Sequence, residues 1–272
     1  MSRTSGYVHG THPEEQRRLS DLNTLVNRAS LEPLEPRRGE KALEMGGGLG
    51  QFARALARAT GERVVSVEWS AEQHGRAREL AADAGEDALV DFRLGDAADP
   101  PLAAAEWGSF DLAHARFLLE HVPAPQAVVN AMARAVRPGG RVVVEDDDHE
   151  ALRLWPEPPG MSAVWRAYIR TYDRLGNDPN VGRRLVELLR AAGLAPRRIA
   201  MPLFGACAGQ PEFPAYVANL VAIFDGAREA ILATGGVTRE AFDETQAALR
   251  AWGQRSDSVF WYTICWAEAV RP

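Results

Sequence analysis

A doubly wound α/β fold is predicted by three features of the chain. The first is Lys41-Ala42-Leu43-Glu44-Met45-Gly46-Gly47-Gly48-Leu49-Gly50, a short apolar run that reaches a carboxylate and breaks into a loop. Glycine fills four of that loop's five positions, and an amphipathic segment from Gln51 to Ala59 follows at once. The second is an alternation of β-branched runs with segments of helical periodicity as far as Glu145. The third is Arg137-Pro138-Gly139-Gly140, a turn-forming stretch between a helical segment and the run Arg141-Val142-Val143-Val144-Glu145. Strands that alternate with helices in this way build a doubly wound sheet.

A chain of 272 residues, 46% hydrophobic and 25% charged, is large enough for one domain or a domain with a cap. Its net charge of −6 and pI near 5.6 leave no basic excess to neutralise phosphates, so nucleic acid is not an expected partner. Lys41 is the single lysine among 31 basic residues, which reads as genomic base composition rather than arginine-dependent function. Cys207 and Cys265 lie far apart with no C-x-x-C, suggesting neither a zinc site nor a disulfide framework. The N-terminus is polar without an apolar leader core, and no apolar stretch approaches membrane length. A soluble cytoplasmic protein without a membrane partner is the expectation, its oligomeric state left open, a homo-oligomer included.

The glycine loop carries the chemistry. Without Cβ atoms a ligand can approach the backbone closely, and the following helix directs unpaired N–H groups outward. Gly48-Leu49-Gly50-Gln51-Phe52-Ala53 fits the dinucleotide pattern in its alanine form. Glu44, Gly46, Gly48 and Gly50 fit the pattern acidic-x-Gly-x-Gly-x-Gly, and a purely structural glycine turn is the third reading. Glu44 discriminates, because a carboxylate at the mouth of a strand repels a pyrophosphate and attracts a cation. The stretch resembles motif I of the class I S-adenosylmethionine (SAM)-dependent methyltransferases, whose cofactor carries a sulfonium and an ammonium and no phosphate. The resemblance implies a Rossmann-like sheet of seven strands with the last antiparallel, and assigns Glu44, Gly46, Gly48 and Gly50 to the cofactor.

Residues 1–40 form the first unit, with a helix over Pro13 to Arg28 that carries Leu19, Leu22, Leu25 and Val26 on one face. Docked on the main domain, it is packing; over the cofactor, it is a lid. Tyr7-Val8-His9-Gly10 looks like the leader of many small-molecule methyltransferases, in which an aromatic closes the SAM pocket, and this makes Tyr7 a candidate contact. After the glycine loop, Arg63-Val64-Val65-Ser66-Val67-Glu68 is a strand ending in a carboxylate placed to hold a ribose diol. That feature serves NAD and SAM equally. Trp69 either covers an adenine face or packs at the strand end. Ser70 caps a helix reaching about Ala84. The strand Leu89 to Leu94 leads to Gly95-Asp96-Ala97, where the resemblance implies contacts from Asp96 and the Ala97 backbone to the adenine; a common Gly-Asp turn is the alternative.

Phe110 to Pro123, with Leu118-Leu119-Glu120-His121-Val122-Pro123, resembles the family's fourth-strand motif. It implies that Arg116 backbone atoms and His121 line the methionine end of the cofactor, His121 being alternatively a core or capping residue. A helix over Pro125 to Val136 and the fifth strand, Arg141 to Glu145, follow. Asp146-Asp147-Asp148-His149-Glu150 then admits three readings: a solvated acidic loop, a general base or substrate anchor supplied by His149 or Asp148, and a divalent-metal site. Catechol-type metal enzymes also need an Asp at the tip of strand four, where this chain has His114-Ala115-Arg116, so no metal is expected.

The second unit, residues 41–272, carries insertions at about 151–178 and 211–254 that form a substrate-facing cap. Helices are expected over Val181 to Ala192, Phe213 to about Ala233 and Thr238 to Trp252, with Thr238 capping. A strand is expected over Pro196 to Phe204, and Val259 to Ala267 as an aromatic strand antiparallel at the sheet edge. The rings at 155–172 and 204–224 line an apolar pocket or fill the core. The function expected is SAM-dependent methyl transfer to a small, largely apolar or aromatic metabolite by in-line SN2 displacement. The rivals are a SAM-fold scaffold or cyclase without methyl transfer, and an NAD(P)-dependent reductase.

Overall fold

The computed structural model describes residues 26, 27 and 29–272. Tyr7 and most of the expected helix at 13–28 lie outside the described residues; residues 26–27 and 29–34 are helical (α1).

Strand β1 (Ala42–Met45) is buried along its whole length, Ala42 entering one hydrophobic cluster and Leu43 and Met45 another on the opposite face. Strands wrapped on both sides in this way read as continuous apolar runs. The next strands in the chain are β2 (Val64–Glu68), β3 (Val90–Leu94), β4 (Phe110–Arg116) and β5 (Val136–Asp147). Further on come β7 (Ala195–Ala200) and β10 (Ile264–Val270), and the sheet order is β3-β2-β1-β4-β5-β10-β7. Neighbours pair parallel except β10, which is antiparallel to both β5 and β7.

Helices α2 (Gln51–Thr60), α3 (Ala71–Asp83), α4 (Pro125–Ala135) and α6 (Leu185–Ala191) cover the sheet. Their ends follow local chemistry. Ser70 Oγ accepts from Gln73 N–H at 3.2 Å, Pro125 sits in the first turn of α4, and Gly61 closes α2 in a left-handed conformation. The helix expected from Val181 starts later, at Leu185, because residues Val181–Arg184 form a 3-10 turn. There Gly182 passes so close to the Asp146 and Asp147 carbonyls that a Cβ would sit 2.8 Å from each.

Two strand expectations are corrected. Arg137 to Gly140 is no separate turn; it belongs to β5 and is absorbed as an irregularity opposite Phe110 and Leu112. The closing aromatic stretch is split. β10 lies inside the sheet, not at its edge, with Trp266 buried beneath it. Its first part becomes β9 (Val259–Trp261), which joins β6 (Arg153–Trp155) and β8 (Ala206–Cys207) in a separate three-stranded sheet, order β6-β9-β8. Leu154, Phe260 and Ala206 face one another across that small sheet and are buried.

The small sheet shares a third hydrophobic cluster with α5 (Met161–Ile169), α7 (Phe213–Ala233) and α8 (Arg239–Trp252). Thr238 Oγ1 accepts from Ala241 N–H at 3.2 Å and starts α8. Tyr168, Tyr172, Phe213, Tyr216 and Phe224 all belong to this cluster. Core packing and pocket lining are therefore not exclusive here, because Tyr168 and Tyr172 do both. No helix among the described residues is long and apolar enough to cross a membrane.

Candidate active site

A cavity of about 800 Å³ opens over the carboxyl ends of β1 to β5, roofed by the helical layer. Such a crevice is where open α/β sheets receive ligands. Its size lies in the upper part of the roughly 300–1,000 Å³ range of small-molecule sites, room for a nucleoside cofactor beside a second molecule.

The cofactor end is built by the glycine loop. Gly46 and Gly48 have φ of 74° and 53°, a region that favours glycine. A Cβ on Gly48 would meet only Gln73 Oε1, at 3.6 Å, so the space beside that backbone is cavity. Gly50 has another role. It is the left-handed N-cap of α2, and its missing Cβ would lie 2.5 Å from Phe92 Cε1. Its glycine serves the packing of α2 against β3, and it does not line the cavity.

Glu44 is buried and accepts from Ser66 Oγ at 3.0 Å. Burial, only partly opposed by Arg116 and Ser66, raises its carboxyl from 4.5 to about 7. Glu68 takes Gly48 N–H at 2.8 Å and Ser70 N–H at 2.7 Å, one on each carboxylate oxygen. These bonds tie the tip of β2 to the glycine loop. Asp96 accepts from Ala98 N–H at 2.8 Å, and Asp96, Ala97 and the half-exposed Trp69 stand at the cavity wall. A buried carboxyl, an open glycine backbone and two further carboxylates suit a cationic nucleoside. Gly48→Val and Asp96→Ala are each expected to weaken SAM binding tenfold or more, about 1.4 kcal/mol. Calorimetry showing wild-type affinity in both would place the pocket elsewhere.

Arg116 lines the same cavity, but its side chain does more than its expected backbone role. The guanidinium donates to Asn27 Oδ1 at 2.8 Å and to Ser30 Oγ at 3.0 Å, tying β4 to α1. It also lies over Phe52, 4.6 Å from the ring centroid. Beneath it His114 is fully buried, 3.0 Å from Glu145 Oε1 and stacked on Phe52.

At the other end of the cavity the acidic stretch after β5 is not a solvated loop. Asp146 is fully buried and accepts from Leu118 and Leu119 N–H at 3.1 and 2.7 Å. His149 is 5% exposed, its Nε2 2.8 Å from Glu120 Oε2 and 3.3 Å from the Tyr172 hydroxyl. Its Nδ1 is 3.4 Å from the Tyr262 hydroxyl. Burial opposes a charge on His149, but Glu120 and Asp147 outweigh it and raise the imidazole. Glu120 falls to about 2 against its own burial, through His121 and His149. Asp147 rises to about 8 through burial and the neighbouring Glu120.

Asp148 departs from its expected role. Its two oxygens are clamped by Arg183 at 2.7 and 2.8 Å, and it does not line the cavity. The pair fastens the end of β5 to the turn before α6. Glu120 is the residue that motif reading passed over; a carboxylate enclosed by Leu118, Leu119 and His121 was the available signal. Glu120, Asp147 and His149 bring one donor atom each within 4.8 Å of one another. We read them as a proton-sharing cluster, since Glu120 and His149 already make a direct hydrogen bond and Asp147 keeps its proton near neutrality.

Comparison with known proteins matches residues 43–144 to the family described as a methyltransferase domain. The chain is 32% identical over 155 residues to 27-O-demethylrifamycin SV methyltransferase of Amycolatopsis mediterranei (strain S699), covering 57% of this chain and 54% of that protein. It is 34% identical over 136 residues to a ubiquinone biosynthesis O-methyltransferase of Xanthomonas axonopodis pv. citri (strain 306), covering 50% and 52%. The chain thus spans about half the length of the curated relatives it matches. Among solved structures the [4+2]-cyclase SpnF is similar in fold, with a TM-score of 0.54 at 22% identity, covering 94% of this chain and 80% of that one.

Proposed function

Since the chain belongs to the class I methyltransferases, whose cofactor is SAM, we propose that it methylates a hydroxyl group on a largely apolar metabolite. The observation that carries this reading is the continuity of one cavity, from the Glu44 and Gly48 end to a buried imidazole–carboxylate cluster beneath aromatic rings. SAM supplies an electrophilic methyl group on a sulfonium. The protein's part is to hold the acceptor oxygen in line with it, exclude water and take up a proton.

Each residue has a place in that task. Glu44 neutralises cationic charge at the cofactor end, while Glu68 and Asp96 hold the ribose and adenine. Trp165, Tyr168, Phe204 and Phe260 supply an apolar wall on the acceptor side. In the buried cluster Glu120 and His149 balance each other and Asp147 keeps its proton, which gives no net positive charge to hold an anionic acceptor and suits a neutral donor such as a hydroxyl. The two curated relatives support oxygen as the acceptor atom, one being a 27-O-demethylrifamycin SV methyltransferase and the other an O-methyltransferase of ubiquinone biosynthesis.

Incubation with labelled SAM and a panel of phenols, alcohols, amines and carbon acids tests the proposal. Label is expected in neutral apolar hydroxyl compounds; transfer to amines alone, or to none, sinks it. His149→Ala is expected to lower turnover while SAM affinity stays near wild type. Unchanged turnover would remove the buried cluster from the reaction.

A further inference from the structure

Strand β7 is the last strand of the large sheet and β8 the last of the small one. One antiparallel register runs through both, with Ile199 facing Ala267, Leu203 facing Thr263 and Ala206 facing Phe260. The segment from Ile199 to Cys207 is therefore one continuous edge. Ile264 N–H donates to the Pro202 carbonyl at 3.1 Å, and Phe204 N–H to the Tyr262 carbonyl at 2.7 Å. Even-numbered residues thus turn their main-chain groups inward, and the N–H and C=O groups of Ile199, Met201 and Leu203 point outward. Among the described residues no strand lies beyond them.

The same three residues place their side chains on one face, where they are 71%, 63% and 51% exposed. Trp261 in the neighbouring strand adds a half-exposed indole to that face. From the opposite face Phe204 and Phe260 line the cavity, so the edge lies behind its wall. Local structure closes both ends. Arg197 is the extra residue of a register shift opposite Glu268 and Ala269, and Gln210 Oε1 accepts from Cys207 N–H at 2.7 Å. An edge that is apolar and unpaired is a template for another strand.

We propose that a second copy of this chain occupies this edge, the two strands pairing antiparallel about a two-fold axis at Met201. Ile199 then meets Leu203 of the second copy, Met201 meets its own counterpart, and each pair exchanges two main-chain hydrogen bonds. This register sets all three apolar side chains against apolar side chains. The register next to it would set Ile199 against Gly205. Like charges are also kept apart, because the Arg197 residues of the two copies lie at opposite ends of the paired stretch. Such an interface is isologous and closes at two subunits. With Trp261 and the open main chain, each copy offers on the order of 600 Å², near the lower end of stable interfaces, which sets the affinity in the micromolar range.

In sedimentation velocity the full chain is expected to pass from monomer to dimer between roughly 1 and 100 µM. Met201→Lys sets two like charges face to face at the axis. It is expected to raise the midpoint tenfold or more, with circular dichroism and SAM affinity unchanged, since Met201 is exposed and outside the cavity. Cross-linking in a Cys207→Ser background reads the register, because directly opposed residues stand about 5.5 Å apart at Cα, within disulfide reach. Met201→Cys is expected to give a covalent dimer under mild oxidant. Leu203→Cys, about 13 Å from its own counterpart, is expected to give little. A wild type that stays monomeric throughout this range overturns the proposal; flotation of that monomer with anionic phospholipid vesicles, lost in Met201→Lys, would assign the edge to lipid. A dimer that survives Met201→Lys, or cross-links no better at 201 than at 203, also overturns it, since the contact then lies elsewhere.

Discussion

Glu44→Gln is expected to weaken SAM binding roughly 10- to 150-fold, the range of a lost hydrogen bond to a charged group, and at the same time to stabilise the ligand-free protein. The two effects share one cause. Burial raises the Glu44 carboxyl from 4.5 to about 7. The folded protein therefore holds that proton more tightly than the unfolded chain, and stability falls as pH rises from about 4.5 through about 7. Above that range the penalty is complete. At about 1.4 kcal/mol for each of the units between 4.5 and about 7, it amounts to about 3 kcal/mol. Glutamine carries no such charge and keeps a carbonyl for the Ser66 hydroxyl, which now donates at 3.0 Å. Thermal melts of the ligand-free variant should exceed wild type at pH 8 and match it near pH 4.5. In the wild type, SAM should bind more tightly as pH rises to about 7 and displace a proton below it; the variant should bind with no such slope. Equal affinity of both proteins at pH 8 would mean that Glu44 does not meet the cofactor's cation.

Arg141→Met is expected to do the opposite, lowering stability by about 3–5 kcal/mol while leaving SAM affinity of the folded protein unchanged. Arg141 begins the apolar run of β5, yet its guanidinium is buried. It grips Glu40 with two bonds of 2.7 Å, donates to the Leu34 carbonyl at 2.6 Å and reaches Glu268 at 3.1 Å. The group ties the segment entering β1 to β5 and β10. Methionine fills the volume but leaves the Glu40 carboxylate buried without its counter-charge, and that uncompensated charge is the main penalty. A fall in melting temperature on the order of 10 °C follows for a chain of this size. Denaturant titration measures the loss, and calorimetry with SAM confirms that the pocket is intact. A loss under about 1 kcal/mol would show that the desolvation of the cluster offsets its attraction.

The stations of the glycine loop were legible because their signals are local. Glu44 and the motif glycines Gly46, Gly48 and Gly50 lie within seven residues, and Ser70, Thr238 and Pro125 act within one helical turn of where they stand. Gly50 lies on the same loop, but the ring its missing Cβ would meet, Phe92, comes from β3, and no local signal foretells that contact. Asp148 and His149 are adjacent in sequence, yet Arg183 takes one and the buried Glu120 the other. No periodicity distinguishes them. The aromatic stretch from Val259 to Ala267 predicts one strand and forms parts of two, because alternation reports pleat and not which sheet a strand joins.

From its sequence alone, this protein's parallel sheet with helices around it, its glycine loop and the row of carboxylates at the strand tips were determined, because turn chemistry and side-chain periodicity act over a few residues. What only the tertiary structure decided is which of its acids keep protons and which carboxylate each imidazole meets. Those properties follow from burial and from partners such as Glu120 and His149, brought to 2.8 Å across 29 residues of chain. A charge taken out of water answers to whatever folds around it, and that is a matter of the whole packed molecule.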